Sequence, residues 1–581
     1  MSSPDGGAIP NGWDLNQLNQ ALWQGDAGTA VEAAEALTKK QQQVVTGGTV
    51  DGWRVTIYDK MWKQIGIVGK FIECSGIDPR NNLANCTLKV MGDDPSIPVL
   101  LNCQNTMVGV TVETEGLRFA FYVDTFELEF KQGEWIGTAN LLGIWDILNY
   151  LLVWPDWFMP IQAQFPLSYA ICLGPLCSVI EALILEQALR IQLGLNEFIN
   201  NALSLDPDIA AWFGSLLISG GNLYDMLNCP IVVALTNPLT DASLLVMRTV
   251  RMETCGSVIK DMVRATGIDV RVDLWLPGDP QPANVWTTLI QPTYVITVVD
   301  RSQITGPTHT VLDSIIKTVV DVAGSILGNE VAPLIEGFQE VKGLPQGFYI
   351  APALGVNWVP PWVLLIAPEP GQRGSVDTCK IVAHTPKGWQ HIIGGRSPQW
   401  LNDLINIFFE WIVDAISILI GISGVPNDLL AGFLNNAFLA FQLWESFSRR
   451  SAVGPYHPAI EVFHATASAP YNIETIFDFI NAFWDARGWV CVQATIRNGV
   501  NYTLGKDIFR GQLISIAYLG RTQLYTDFLD AVSWKIDADT RDLMLQIGDG
   551  KAIESPLAKH QRNISGALEA LNVLTLAPQS G

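Results

Sequence analysis

The chain has 581 residues, 57 of them acidic and 35 basic, and a net charge of −22 at pH 7. Hydrophobic residues make up 49% and charged residues 16%, which excludes a disordered chain and predicts about three to five domains with extensive burial, part of it between subunits. No run of Lys and Arg is present to grip phosphates, so specific nucleic-acid binding is excluded; an acidic surface suits a channel that repels DNA.

Residues 1–50 open with a polar Gly/Pro segment, MSSPDGGAIPNG, that has no secretory-signal pattern, and continue as an Ala-, Leu- and Gln-rich helical arm. From Trp53 the period switches to two. WRVTIYD, VGVTVETE and FELEFK alternate apolar with polar residues, and Phe126, Leu128 and Phe130 oppose Glu127, Glu129 and Lys131. Residues 51–140 therefore read as half-buried antiparallel strands in a first β-barrel-like unit. Residues 141–225 read as an apolar helical segment. Residues 226–310 mix strands such as TYVITVVD with the helix GSVIKDMVRATG, an α/β unit. Residues 311–454 read as a helical domain whose first helix carries Asp313, Lys317 and Asp321 on one polar stripe. Residues 455–550 return to β as a second barrel-like unit, and 551–581 form a polar tail. The predicted class is α+β and multidomain. No repeat of about 20–50 residues is visible.

Motifs for chemistry fail their tests. GIVGKF, Gly66 to Phe71, lacks the spacing and the Ser or Thr of a phosphate loop. No H-E-x-x-H or G-x-S-x-G occurs, and the nine Cys include no C-x-x-C, which predicts buried thiols. His457 and His464 have no recognised ligand spacing. No catalytic residue, metal site or cofactor is predicted.

The most apolar stretch is 404–447. Ile405 to Ile422 would make a helix about 27 Å long, near the length of a bilayer core. Glu410 and Asp414 sit near its middle, and each acid there costs roughly 2.5–3.5 kcal/mol in a membrane. Asp403, Glu410 and Asp414 form a narrow polar seam, beside apolar Phe408, Trp411, Ile412, Ile418 and Leu419. GISGVPND breaks the helix with Gly424 and Pro426. Asp428, Asn435 and Gln442 make a matching seam on a second helix, beside Leu430, Phe433, Leu434, Phe438, Phe441 and Trp444. The segment reads as an αα-hairpin, either buried in a subunit core or able to line a pore in a membrane.

Several stretches resemble the large minor tail proteins of long-tailed phages of mycobacteria and related actinobacteria, the Gp37-like tail family. They are VTIYDKMWKQIG (55–66), LVWPDWFMPIQAQFP (152–166), VRVDLWLPGDPQP (270–282), ITVVDRSQITG (296–306), VAPLIEGF (331–338), IIGGRSP (392–398) and YNIETIFDFINAFWDARGW (471–489). The resemblance implies a structural virion protein, folded in the host cytoplasm and placed at the tail tip as the baseplate hub. It implies a homotrimer whose two barrels per copy imitate tail-tube subunits on a six-fold tube. The implied partners are the distal tail protein, the tape-measure protein and other minor tail proteins, with DNA passing through the channel; host membrane contact on infection is the expectation from the apolar hairpin. A tail-displayed cell-wall hydrolase or a receptor-binding protein is the alternative.

Overall fold

The computed structural model describes residues 15–44, 53–68, 71–114, 117–131, 133–157, 159, 170–192, 231–327, 348–371, 376–394, 443–445, 447–465, 481, 483–496, 498, 502–537 and 541–548. The arm is two helices, α1 (Asn16–Gln24) and α2 (Ala27–Val44). Gly25 ends α1 in the left-handed region at φ +68°, and the Asp26 carboxylate accepts from the Thr29 N–H and hydroxyl to start α2. Leu18, Leu22, Ala30 and Val31 pack on Leu364 and Ala517 from distant sequence. Glu35 pairs with Arg521 at 2.7 Å. The arm is therefore docked.

Seven strands follow: β1 (Arg54–Tyr58), β2 (Gln64–Ile67), β3 (Phe71–Pro79), β4 (Asn85–Met91), β5 (Gly109–Thr114), β6 (Leu117–Lys131) and β7 (Glu134–Gly143). The middle of the chain holds β8 (Ala170–Pro175), β9 (Ile231–Val233), β10 (Leu245–Val250), β11 (Ile268–Trp275), β12 (Thr293–Asp300) and the short pair β13 (Ile304–Thr305) and β14 (Asn357–Trp358). Here β12 pairs antiparallel with β11 and parallel with β9, while β10 pairs with β8. The helices Leu176–Gln192 and Cys255–Val263 pack in the same apolar core as these strands. The described parts of 141–225 and 226–310, read as two units, thus share one core.

The remaining strands are β15 (Leu364–Ile366), β16 (Thr378–His384), β17 (Gln390–Gly394), β18 (Leu443–Glu445), β19 (Glu461–Ala465), β20 (Trp489–Ile496), β21 (Leu513–Tyr518), β22 (Gln523–Asp537) and β23 (Arg541–Gly548). The segment 311–454, read as helical, therefore contributes β14 to β18. A Pro-rich context hid β15, whose VLLI run is too short to show a period. The helix Val311–Leu327 is present, but its stripe faces protein. Asp313 is buried and accepts from the Thr308 and His309 N–H groups, and Lys317 donates to the Ala242 carbonyl at 2.7 Å.

The two β regions are not separate. One sheet of thirteen strands runs in the order β16-β20-β23-β22-β3-β4-β7-β6-β5-β1-β2, with β21 beside β22 and β15 beside β21. The join is β22 on β3, from Ala531↔Pro79 to Asp537↔Glu73. Both regions feed one core, with Val55, Leu88 and Phe121 from the first and Val492, Ile514 and Leu545 from the second.

A structural repeat crosses that join. β6 and β22 are each 15 residues long, and each first half pairs with the preceding strand, β5 or β21. Each also pairs with the next strand, β7 or β23, and breaks that register at one bulge, at Asp124 or Asp530. Next come β4 or β20 and then β3 or β16, so Cys74↔Leu88 matches Cys379↔Ala494. A backbone repeat needs matching registers and a matching bulge, not matching side chains, so the sequence does not display it.

Candidate functional site

Trp534 marks the join. It pairs with Gly76, and a Cβ on Gly76 would lie 2.5 Å from the indole, so only glycine fits there. Its ring stacks on Phe119 with centroids 4.3 Å apart. Val532, Trp534 and Ile536, which share this face, are 1–3% exposed.

The matching half of β6 has a different environment. β5 stops at Gly109↔Tyr122, whereas β6 continues with β7 to Lys131↔Glu134. Among the described residues no strand lies along the other edge of Phe126–Lys131. The bulge at Asp124 keeps Phe126, Leu128 and Phe130 on the apolar side that Val123 and Leu141 occupy in the core. That side runs out uncovered: Phe130 is 58% and Trp135 50% exposed, with their rings 5.2 Å apart. The alternation of FELEFK is a strand as predicted, but its outer apolar residues are exposed, because nothing described in this chain covers them. The opposite face carries exposed Glu127 and Glu129.

Beneath the sheet, a buried charge seam fixes the middle unit. Arg510, which precedes β21, pairs with Asp78 of β3 at 2.6 Å and lies 3.6 Å from Asp269 of β11. Arg301 holds the other Asp269 oxygen at 3.3 Å, and Asp269 has no exposed surface. Burial pushes the Arg510 pKa down, but Asp78, Asp269 and Asp273 outweigh it and keep the guanidinium charged. Arg118 adds a second clamp, at 3.0 Å from Glu113 and 2.5 Å from Asp279. The cavity beside the seam, lined by Asp78, Arg118, Arg271 and Arg510 among others, is about 50 Å³, a size for a few waters rather than a substrate. Sequence reading missed this seam, because its members are scattered between residues 78 and 510.

Among the described residues no group of His, Cys, Asp and Glu is placed to hold a metal, and no helix is long and apolar enough to cross a membrane. Of the predicted hairpin, Phe408, Trp411, Ile412, Ile418, Leu419, Leu430, Phe433, Leu434, Phe438 and Phe441 lie outside the described residues, as do Asp403, Glu410, Asp414, Asp428, Asn435 and Gln442. Trp444, read as part of the second helix of this hairpin, is instead in β18, opposite His391 of β17.

No curated protein matches the chain. Among solved structures it is similar to the tail protein from Neisseria meningitidis MC58, with 8% identity, TM-score 0.40, and 86% of this chain and 97% of that chain covered. It is similar to the prophage MuSo2 43 kDa tail protein from Shewanella oneidensis, at 8% identity and TM-score 0.38 over 87% of this chain and 100% of that chain. The prophage tail protein gp18 from Listeria monocytogenes EGD-e aligns at 9% identity and TM-score 0.37, over 89% and 99% of the two chains. The family model described as siphovirus ReqiPepy6 Gp37-like protein matches residues 54–549. The chain belongs to this siphovirus ReqiPepy6 Gp37-like family.

Proposed function

We propose that the chain is the tail-tip hub of a siphophage of an actinobacterial host. It closes the distal end of the tail tube and takes part in host attachment and DNA delivery. One observation carries the reading: a single chain holds two equivalent long-hairpin units, built on β6 and β22, within one sheet. Three copies then present six such units, the number a six-fold tube requires. These units are the tube-like, barrel-forming parts of the assembled homotrimer. Its partners are the distal tail protein, the tape-measure protein and other minor tail proteins. A net charge of −22 suits a lumen that passes DNA without binding it. The chain works as a structural part, not as an enzyme. Residues 404–442 supply the membrane contact at infection, read by dye release from liposomes; release that Asp414→Leu leaves unchanged counts against a polar pore lining.

Gold-labelled antibody against the chain, applied to intact virions, tests the placement. Label confined to the distal tip is expected. Label along the tube or at the head contradicts the hub reading.

A further inference from the structure

The repeat places one junction inside the chain and, among the described residues, leaves both halves of an equivalent junction open. In the closed one, Val532–Asp537 of β22 lie along Glu73–Asp78 of β3. The equivalent of that part of β22 is Phe126–Lys131 of β6, and the equivalent of that part of β3 is Thr378–Ala383 of β16. Among the described residues β16 pairs with β20 alone, and Phe126–Lys131 pair with β7 alone. A chain with two unjoined sheet edges is a template for another copy of itself.

We propose that Phe126–Lys131 of one copy pair antiparallel with Thr378–Ala383 of the next, reproducing the β22–β3 junction between subunits. This rests on the trimeric reading for the number of copies, but not for the contact. The register carried over from the closed junction sets Leu128 opposite Ile381, Glu129 opposite Lys380 and Phe130 opposite Cys379. Each pairing suits its residues. Glu129, 3.8 Å from Lys131 on its own strand, and Lys380 carry opposite charges and are exposed, so a cross-strand ion pair joins them in this register. Leu128 and Ile381, 36% and 38% exposed, share between them the space that Trp534 takes alone against Gly76. Phe130 and half-buried Cys379 stand where Ile536 and Cys74 are fully buried in the closed junction. The contact is heterologous: the β6 hairpin of one copy meets the β16 edge of another, and with three copies, as the trimeric reading sets, repetition closes a ring in which junctions within and between chains alternate.

The test uses the full chain carrying Phe130→Cys, an exposed site whose change leaves the core intact. With copper phenanthroline as oxidant, a disulfide to the natural Cys379 of the next copy is expected, giving covalent dimers and closed trimers on a non-reducing gel. Cys379→Ser in the same chain must abolish them, and Glu129→Cys, which faces away from Cys379, must not form them. Light scattering on the natural chain is the second readout, with Glu129→Lys and Lys380→Glu each expected to weaken the oligomer about tenfold or more and the pair together to restore it. A natural trimer with no Phe130→Cys cross-link and no charge-swap rescue overturns this contact and leaves the trimer standing. A natural chain that stays monomeric at tens of micromolar overturns both.

Discussion

Tyr525 has one hydroxyl hydrogen and two acceptors, the Val490 carbonyl and the Asp527 carboxyl, each 2.5 Å away. Both contacts are satisfied when Asp527 is protonated and donates to the phenol oxygen. Burial pushes the Asp527 pKa up to about 6, against the ordinary value of 3.8. A raised carboxyl pKa stabilises the fold fully below the unfolded value, and that contribution is lost as pH rises to the folded one. Relative to Asp527→Asn, the natural chain should lose melting temperature between about pH 4 and 6 and run parallel above. A constant difference across the range contradicts the protonated contact. Asn81 makes a second residue-scale test. At φ +52°, its side chain donates to the Ile268 carbonyl and accepts from the Val270 N–H, each at 2.7 Å, so it acts as a strand residue on the edge of β11. Asn81→Ala leaves both groups unpaired in a left-handed position, and should cost about 2–4 kcal/mol in denaturant unfolding. A loss below about 0.5 kcal/mol contradicts the pinning role. Neither role was legible in the sequence, because each depends on partners distant in the chain.

Among elements, legibility followed local period. β1, β5, β6 and β12 alternate or run apolar, and each is a strand. The helix Val311–Leu327 shows its stripe at the expected spacing, yet the stripe meets β10 and its loop rather than water, since spacing gives the face and not what covers it. The arm gives the same lesson. Its helical composition was readable, but its seat on Leu364 and Ala517 was not. Removing residues 1–44 should therefore lower the melting temperature and raise binding of a hydrophobic dye at that seat. Unchanged melting would show that the arm adds nothing to the fold. The predicted hairpin at 404–447 has one described stretch within the sheet system, Leu443–Glu445, which marks where helical reading of an apolar run overshot into a strand.

At the scale of the molecule, the sequence suggested two β regions and their distance apart, but not that they are one sheet. That join depends on Trp534 finding Gly76, a pair with no local signal. The repeat was equally hidden: Asp124 and Asp530 both sit at bulges, but Leu128 answers Trp534 and Phe130 answers Ile536, so the side chains diverged while the register stayed. Among the described residues nothing covers Phe130 and Trp135, and an apolar sheet face of this kind suits the proposed contact between copies. A cryo-EM map of the tail tip tests the hub reading most directly. It should show three copies coaxial with the tube, with six equivalent β junctions around the channel. A map that places the chain away from the tube axis, or without a closed ring, contradicts it.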